Sequence, residues 1–156
     1  MRVLAILLVL PAFAWAAETC PWLNAATAGG VLGGRIANVK VMRAQTGTDA
    51  SCEFAAHAGS ILLELRIEVE TMPAPALDFA AYESRCHSAA APLTAIGTKA
   101  VACSDDSGGQ LAEQVIGRVR DRAFVVRIST SDHSTERGVE RDKAKKIAEQ
   151  VAGILF

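Results

Sequence analysis

Leu63-Glu64-Leu65-Arg66-Ile67-Glu68-Val69-Glu70 is the most regular stretch of this 156-residue chain. Aliphatic and charged residues alternate along it. That period of two places one face of a strand in a core and the other in water. Two further strands are expected just before it, at residues 38–44 and 51–57, with turns at 45–49 and 58–60. Turns this short leave no room for crossover helices, so the three strands form an antiparallel meander.

Beyond it, Met72-Pro73-Ala74-Pro75 ends the strand, because proline removes a backbone donor. Residues 76–88 are expected to be helical, with Leu77, Phe79, Tyr82 and Cys86 spaced for packing. Pro92 closes that region. A short strand is expected at 99–104, then a loop at 105–109. Residues 111–120 and 123–130 form a hairpin turning at Asp121-Arg122. Val115 and Val119 share one face of it. Phe124, Val126 and Ile128 share a face on the return strand, and Arg118, Arg120 and Arg127 take the wet side.

Helices are expected at both ends of this array. Residues 21–32 begin with a proline, which suits a first helical turn, and Gly33-Gly34 ends the helix. Near the C-terminus, Ile147, Val151, Ile154 and Leu155 follow i, i+4, i+7, i+8. Ser134 or Thr135 is the expected cap, and Asp142 can pair with Lys146 one turn on. The order is α-βββ-α-βββ-α. The fold class is α+β, a mainly antiparallel sheet with packed helices.

The chain opens with Met1-Arg2, an apolar run from Val3 to Phe13, and Ala14-Trp15-Ala16. These are the charged, apolar and small-residue parts of a secretory signal. Residues 1–16 are expected to be a signal peptide and 17–156 a single globular domain. The apolar run is shorter than the roughly 18 to 20 residues that span a bilayer. The protein is therefore expected to be secreted or periplasmic, with no membrane span after cleavage.

The formal net charge is −1. That points to neither nucleic acid nor acidic lipid as a partner. The charge is uneven: residues 17–117 hold six Lys/Arg against eleven Asp/Glu, and residues 118–156 hold nine against six. A solvated strand face and helix face account for the basic excess, because Asp121, Glu140 and Asp142 interrupt it. The alternative is a patch that holds the protein on the envelope through charge.

The stretch Cys20-Pro-Trp-Leu-Asn-Ala-Ala-Thr-Ala-Gly-Gly-Val-Leu-Gly-Gly34 resembles the start of LpqN-type extracytoplasmic domains. In those domains a cysteine precedes a short helix ending in a leucine-glycine pair, and a later strand carries a second cysteine. Ser51-Cys52-Glu53-Phe54 stands at that position here. The segment Leu93-Thr-Ala-Ile-Gly-Thr-Lys-Ala-Val101 is similar to the family's loop-to-strand passage. The resemblance implies a PsbP-like α/β/α sandwich and a cell-envelope binding or accessory role. It carries over no catalytic residue. The chain departs from the family in lacking a lipobox and in having Cys86 and Cys103.

All four cysteines follow the signal, so they mature where disulfides form. Four cysteines allow three pairings. The expected one joins Cys20 to Cys52 and Cys86 to Cys103, tying the head of the first helix to the second strand and the middle helix to the strand after it.

Other chemistry finds little support. Cys86, His87, Cys103, His57 and His133 offer zinc-ligating atoms but no ligating spacing. There is no G-x-S-x-G elbow. Gly29-Gly30 and Gly33-Gly34 lack the lysine of a phosphate loop. Glu68 and Glu70 share a wet strand face, where carboxylates are usually only solvated. Asp105-Asp106-Ser107-Gly108-Gly109 lacks the acidic repeat of a calcium loop. The terminal Phe156 follows helical periodicity, not the alternation of a membrane barrel.

The reading is a non-enzymatic accessory or binding domain of the cell envelope, taking a small ligand or an envelope protein. No catalytic, cofactor or metal site is expected, and no cofactor. The alternative is a small extracytoplasmic enzyme with a loop-assembled site drawn from His57, His87 and His133.

Overall fold

The computed structural model describes residues 19–44, 49–106 and 109–156. The expected signal peptide (1–16), most of the expected turn at 45–49 and residues 107 and 108 of the expected loop lie outside the described residues.

Three helices and seven strands follow in chain order. They are α1 (Ala25–Leu32), β1 (Ile36–Arg43), β2 (Ala50–Ala58), β3 (Ile61–Thr71), α2 (Pro75–Glu83), β4 (Ala91–Leu93), β5 (Lys99–Ser104), β6 (Leu111–Val119), β7 (Arg122–Thr130) and α3 (Arg137–Leu155). The strands form one antiparallel sheet in the order β1-β2-β3-β7-β6-β5-β4. The α+β class and the mainly antiparallel sheet are as expected. The element order has one strand more than expected, β4, which contains Pro92. Proline is tolerated there because β4 is an edge strand with a single partner.

The alternation in β3 does what its pattern requires. Leu63, Leu65, Ile67 and Val69 enter the main core, together with Phe54, Phe124, Val126, Ile128, Ile147 and Val151. Helices α1 and α3 cover this inner face. The outer face is covered at one end by α2. There Phe79 and Met72 pack on Val101, Ile116, Ala123 and Val125.

Several local expectations change. Helix α1 starts at Ala25 rather than residue 21, because Asn24 accepts a 2.8 Å bond from the Thr27 amide and so sets the cap there. Gly33 (φ 78°) closes the helix through its amide to the Gly29 carbonyl. Helix α2 ends at Glu83, before Cys86. Its Leu77 is 79% exposed, so that residue does not pack, while Phe79 is buried. The β6–β7 turn is centred on Arg120-Asp121, one residue early, since Val119 pairs with Arg122 and Arg120 takes φ 54°.

Neither Ser134 nor Thr135 caps α3. Asp132 accepts bonds from both hydroxyls, at 2.7 and 3.2 Å, and the helix begins after Glu136 without a side-chain cap. Ile154 is exposed, whereas Ile147 and Val151 are buried. Asp142 pairs with Lys145 at 3.3 Å, not with Lys146, trading an i, i+4 contact for i, i+3.

Candidate functional site: the open outer face

Facing residues of an antiparallel pair point to the same side of the sheet. On the outer face this builds one polar row across six strands. Lys40 faces Glu53, Glu53 faces Arg66, Arg66 faces Arg127, Arg127 faces Gln114, and Gln114 faces Cys103. Helix α2 covers the sheet beside this row, which is open from Lys40 to Arg66, half-buried at Arg127, and buried at Gln114 and Cys103 under the chain that follows α2.

Ion pairs organise the row. Arg66 Nε lies 2.7 Å from Glu68, and its Nη1 lies 3.6 Å from Glu53. Glu68 also meets Arg85 Nη1 at 3.2 Å, so it bridges two guanidinium groups. Arg85 stacks on the Tyr82 ring, 4.5 Å from its centre. Arg127 Nε lies 3.3 Å from the Asp105 carboxylate, with Nη2 3.4 Å from the Asp105 carbonyl.

A shallow depression of about 460 Å³ runs from Met42 to Glu70 and includes Arg66 and Glu68, and two others meet at Arg66 and Arg127. The larger of these two, about 420 Å³, is lined by residues that include Arg66, Glu68, Arg85, His87, Asp105 and Arg127. The smaller, about 180 Å³, lies toward Lys40, Glu53, Glu64 and Ser129. Arg66 and Arg127 line both.

One of the two disulfides positions Arg85 and His87, which line the larger depression. Cys20 is bonded to Cys52, and Cys86 to Cys103. The second bond fixes the chain after α2 against β5, and Arg85 and His87 flank it. Gln114 Nε2 donates to the Arg85 carbonyl at 3.2 Å and lies 3.3 Å from Cys103 Sγ. Ser88 Oγ donates to the Ser104 carbonyl at 2.9 Å and accepts from its amide at 3.0 Å. Two disulfides also point to a non-reducing, extracytoplasmic setting.

A second polar cluster lies beneath α3. Glu113 is fully buried on β6. It accepts from Arg141 Nε (2.8 Å) and Ser104 Oγ (2.6 Å), with Arg137 at 3.5 Å. Arg137 also forks onto Asp106 at 2.6 and 2.9 Å, which holds the Asp106 carboxyl below its usual range. Hydrogen bonds from Ser134 lower Asp132 in the same way. Acids satisfy this end of the helix, so the cluster anchors α3 to the sheet.

The basic excess of residues 118–156 is spread over the molecule. Arg118 donates to the Pro75 carbonyl at 3.0 Å and sits over the Phe79 ring, so it is covered by α2 rather than wet. Arg122 lies 3.4 Å from Asp49 and over the Trp22 ring. Lys143 and Lys145 meet Glu140 and Asp142. Arg120 is exposed in its turn.

The three histidines occupy separate segments, all exposed: His57 at the end of β2, His87 after α2 and His133 before α3. Only His87 lines the larger depression. Glu68 is held by Arg66 and Arg85, while Glu70 accepts a short bond from the Tyr82 hydroxyl. Those two carboxylates therefore have separate partners. Among the described residues no group of three or more His, Cys, Asp or Glu is placed to hold a metal ion. Among them, too, no helix is long and apolar enough to cross a membrane.

The sequence reading placed Arg127 and the polar residues of β3 on a wet face but missed Arg85, Asp105 and Gln114 as their neighbours. The available signal was Arg85-Cys86-His87 itself: once Cys86 pairs with Cys103, both flanking side chains are brought to the β5 end of the row. Compared with family models, curated proteins and solved structures, the chain finds no match.

Proposed function

We propose that this chain is an exported, non-enzymatic accessory domain of the cell envelope, of the LpqN kind, and that it binds its ligand on the open outer face. The observation that carries the reading is the polar row from Lys40 to Arg127, left accessible beside α2 while α1 and α3 close the opposite face. A sheet needs only one buried face to be stable, so the uncovered one is free for recognition. Support for export comes from the charged, apolar and Ala-x-Ala segments at the N-terminus and from two disulfides. Helices on both faces of the sheet agree with the layering the resemblance implies.

The test is the intact mass of the protein recovered from the exporting cell, before and after reduction. The expected product begins at Ala17 and gains four hydrogens on reduction, two for each disulfide. A full-length chain with free thiols would overturn the address. Turnover of a substrate by the purified protein, abolished by a substitution on the outer face, would overturn the non-enzymatic role.

A further inference from the structure

We infer that the outer face holds a small polar ligand through an oxyanion seated between Arg66 and Arg127, with Arg85 and His87 as a disulfide-held rim. The inference rests on the reading of this face as the binding face and names what it binds.

Arg66 and Arg127 face each other directly on β3 and β7. Facing side chains on adjacent antiparallel strands have Cβ atoms roughly 5 Å apart, and like charges there are destabilising. Two guanidinium groups at this spacing can share one oxyanion, because each offers a planar fork of donors suited to carboxylate or phosphate. Their own acids approach from the sides. Glu68 and Glu53 reach Arg66, and Asp105 reaches Arg127 from the loop after β5. Arg127 Nε is closed off from water and makes no aligned hydrogen bond, although Asp105 lies near it. Arg66 is thus held by two carboxylates and Arg127 by one, with the Arg127 Nε donor left poorly aligned.

The larger depression fixes the rest of the ligand. Three guanidinium groups line it with two carboxylates, Glu68 and Asp105, and Glu53 reaches Arg66 from outside the lining, so the site leaves room for no more than a single negative charge. Val125 is the one apolar residue in a lining of arginines, acids, amides and His87. Apolar ligands need an apolar wall, so the body of this ligand is hydroxylated. At about 420 Å³ the depression is in the lower part of the range for small-molecule sites and suits one or two sugar rings. A sugar acid and a sugar phosphate share this chemistry.

The rim depends on redox state. Arg85 and His87 are held by the Cys86–Cys103 bond and by Gln114 on the Arg85 carbonyl. Cutting the disulfide leaves the segment that carries them held only by its hydrogen bonds and the Arg85–Glu68 ion pair.

The experiment is calorimetric titration of the oxidised protein with glucuronate, glucose 6-phosphate and glucose, at low and raised ionic strength. One or both anions should bind and glucose should not, with affinity falling as salt rises. The stronger anion identifies the carboxylate or the phosphate as the recognised group. Arg66→Gln and Arg127→Gln should each weaken binding tenfold or more, as expected for a lost bond to a charged group. The Arg66 and Arg85 side chains are 46% and 44% exposed, so those two substitutions disturb folding less than Arg127→Gln, and Arg85→Gln should weaken binding by a smaller factor. Near-ultraviolet circular dichroism checks each fold. Reduction of the wild type should weaken binding about as much as Arg85→Gln does. Unchanged anion affinity in folded Arg66→Gln and Arg127→Gln would overturn the inference, as would no binding of either anion at millimolar concentration. Glucose binding that perturbs outer-face amides would overturn the oxyanion and leave the binding face standing. Anion binding that perturbs only the α1 and α3 side would overturn both.

Discussion

Glu113 Oε2 lies 2.8 Å from Arg141 Nε, and this carboxylate is wholly buried between β6 and α3. The pair joins the middle of the sheet to the first half of the long helix. Ser104 Oγ donates to the same carboxylate and accepts from Arg141 Nη2 at 3.3 Å, closing a three-residue ring. Removing the acid leaves a cation and a hydroxyl without their shared acceptor. Arg141 is 36% exposed and can turn to water, so the cost falls below that of a fully buried pair. Glu113→Ala should destabilise the protein by about 2 to 3 kcal/mol. Urea unfolding of the two proteins measures it, and Arg141→Met in the same background separates pairing from packing.

Gly117 sits where a side chain cannot. A Cβ built there would fall 2.1 Å from Phe124 Cζ and within 2.8 Å of both ring Cε atoms. Phe124 is fully buried in the main core. Gly117→Ala should therefore destabilise by about 1 to 3 kcal/mol through overpacking, although alanine is the better strand residue. Loss of near-ultraviolet dichroism with retained far-ultraviolet signal would locate the damage in the packing around the ring.

The two disulfides should differ modestly in worth. Cys20–Cys52 spans 32 residues and Cys86–Cys103 spans 17. Loop-closure entropy makes the shorter worth about 3 kcal/mol and the longer roughly half a kcal/mol more. Paired Cys→Ser variants, unfolded in urea, report both values. The shorter bond carries the second effect described above, on the rim of the larger depression.

Tyr82 is the only tyrosine in the chain, so absorbance at 295 nm follows it alone. Burial, then its hydrogen bond to Glu70, raises its ionisation above the ordinary phenol range. The native state thus keeps a proton that the unfolded chain, with a pKa near 10, gives up. Stability from this group is complete below pH ~10 and declines as pH rises above it. The native protein should show no phenolate at that pH. Ionisation should coincide with unfolding in wild type and come earlier in Glu70→Gln, which removes the charge and leaves only a neutral, weaker acceptor.

How much of this was legible in the sequence follows from where each strand is buried. β3 is buried on one face, so its alternation survives in Leu63 to Glu70. β6 is buried on both faces, by α3 on one side and α2 on the other, and the period of two disappears from it. This is why Glu113 gave no sign of facing inward and why Arg118 looked solvated. The first helix was readable from its glycine terminator, the hairpin from its two strands and the long helix from its periodicity, whereas both N-terminal caps and the exact turn were not. The end of α2 was not, because Leu77 imitates a packing residue and Cys86 is drawn away from the helix by its bond to Cys103. β4 has three residues and no hydrophobic signal beyond Leu93. The charged row depends on strand order: β3 lies beside β7 only because the chain travels through α2 and three strands before returning. No local pattern announces that Arg66 will face Arg127.

The most direct test of the central claim is to map backbone amide shifts of the oxidised protein during titration with a low-molecular-weight extract of its own envelope. The account predicts shifts confined to residues around Arg66, Arg85, Gln114 and Arg127, on the outer face. Shifts confined to α1 and α3, with the outer face silent, would contradict it.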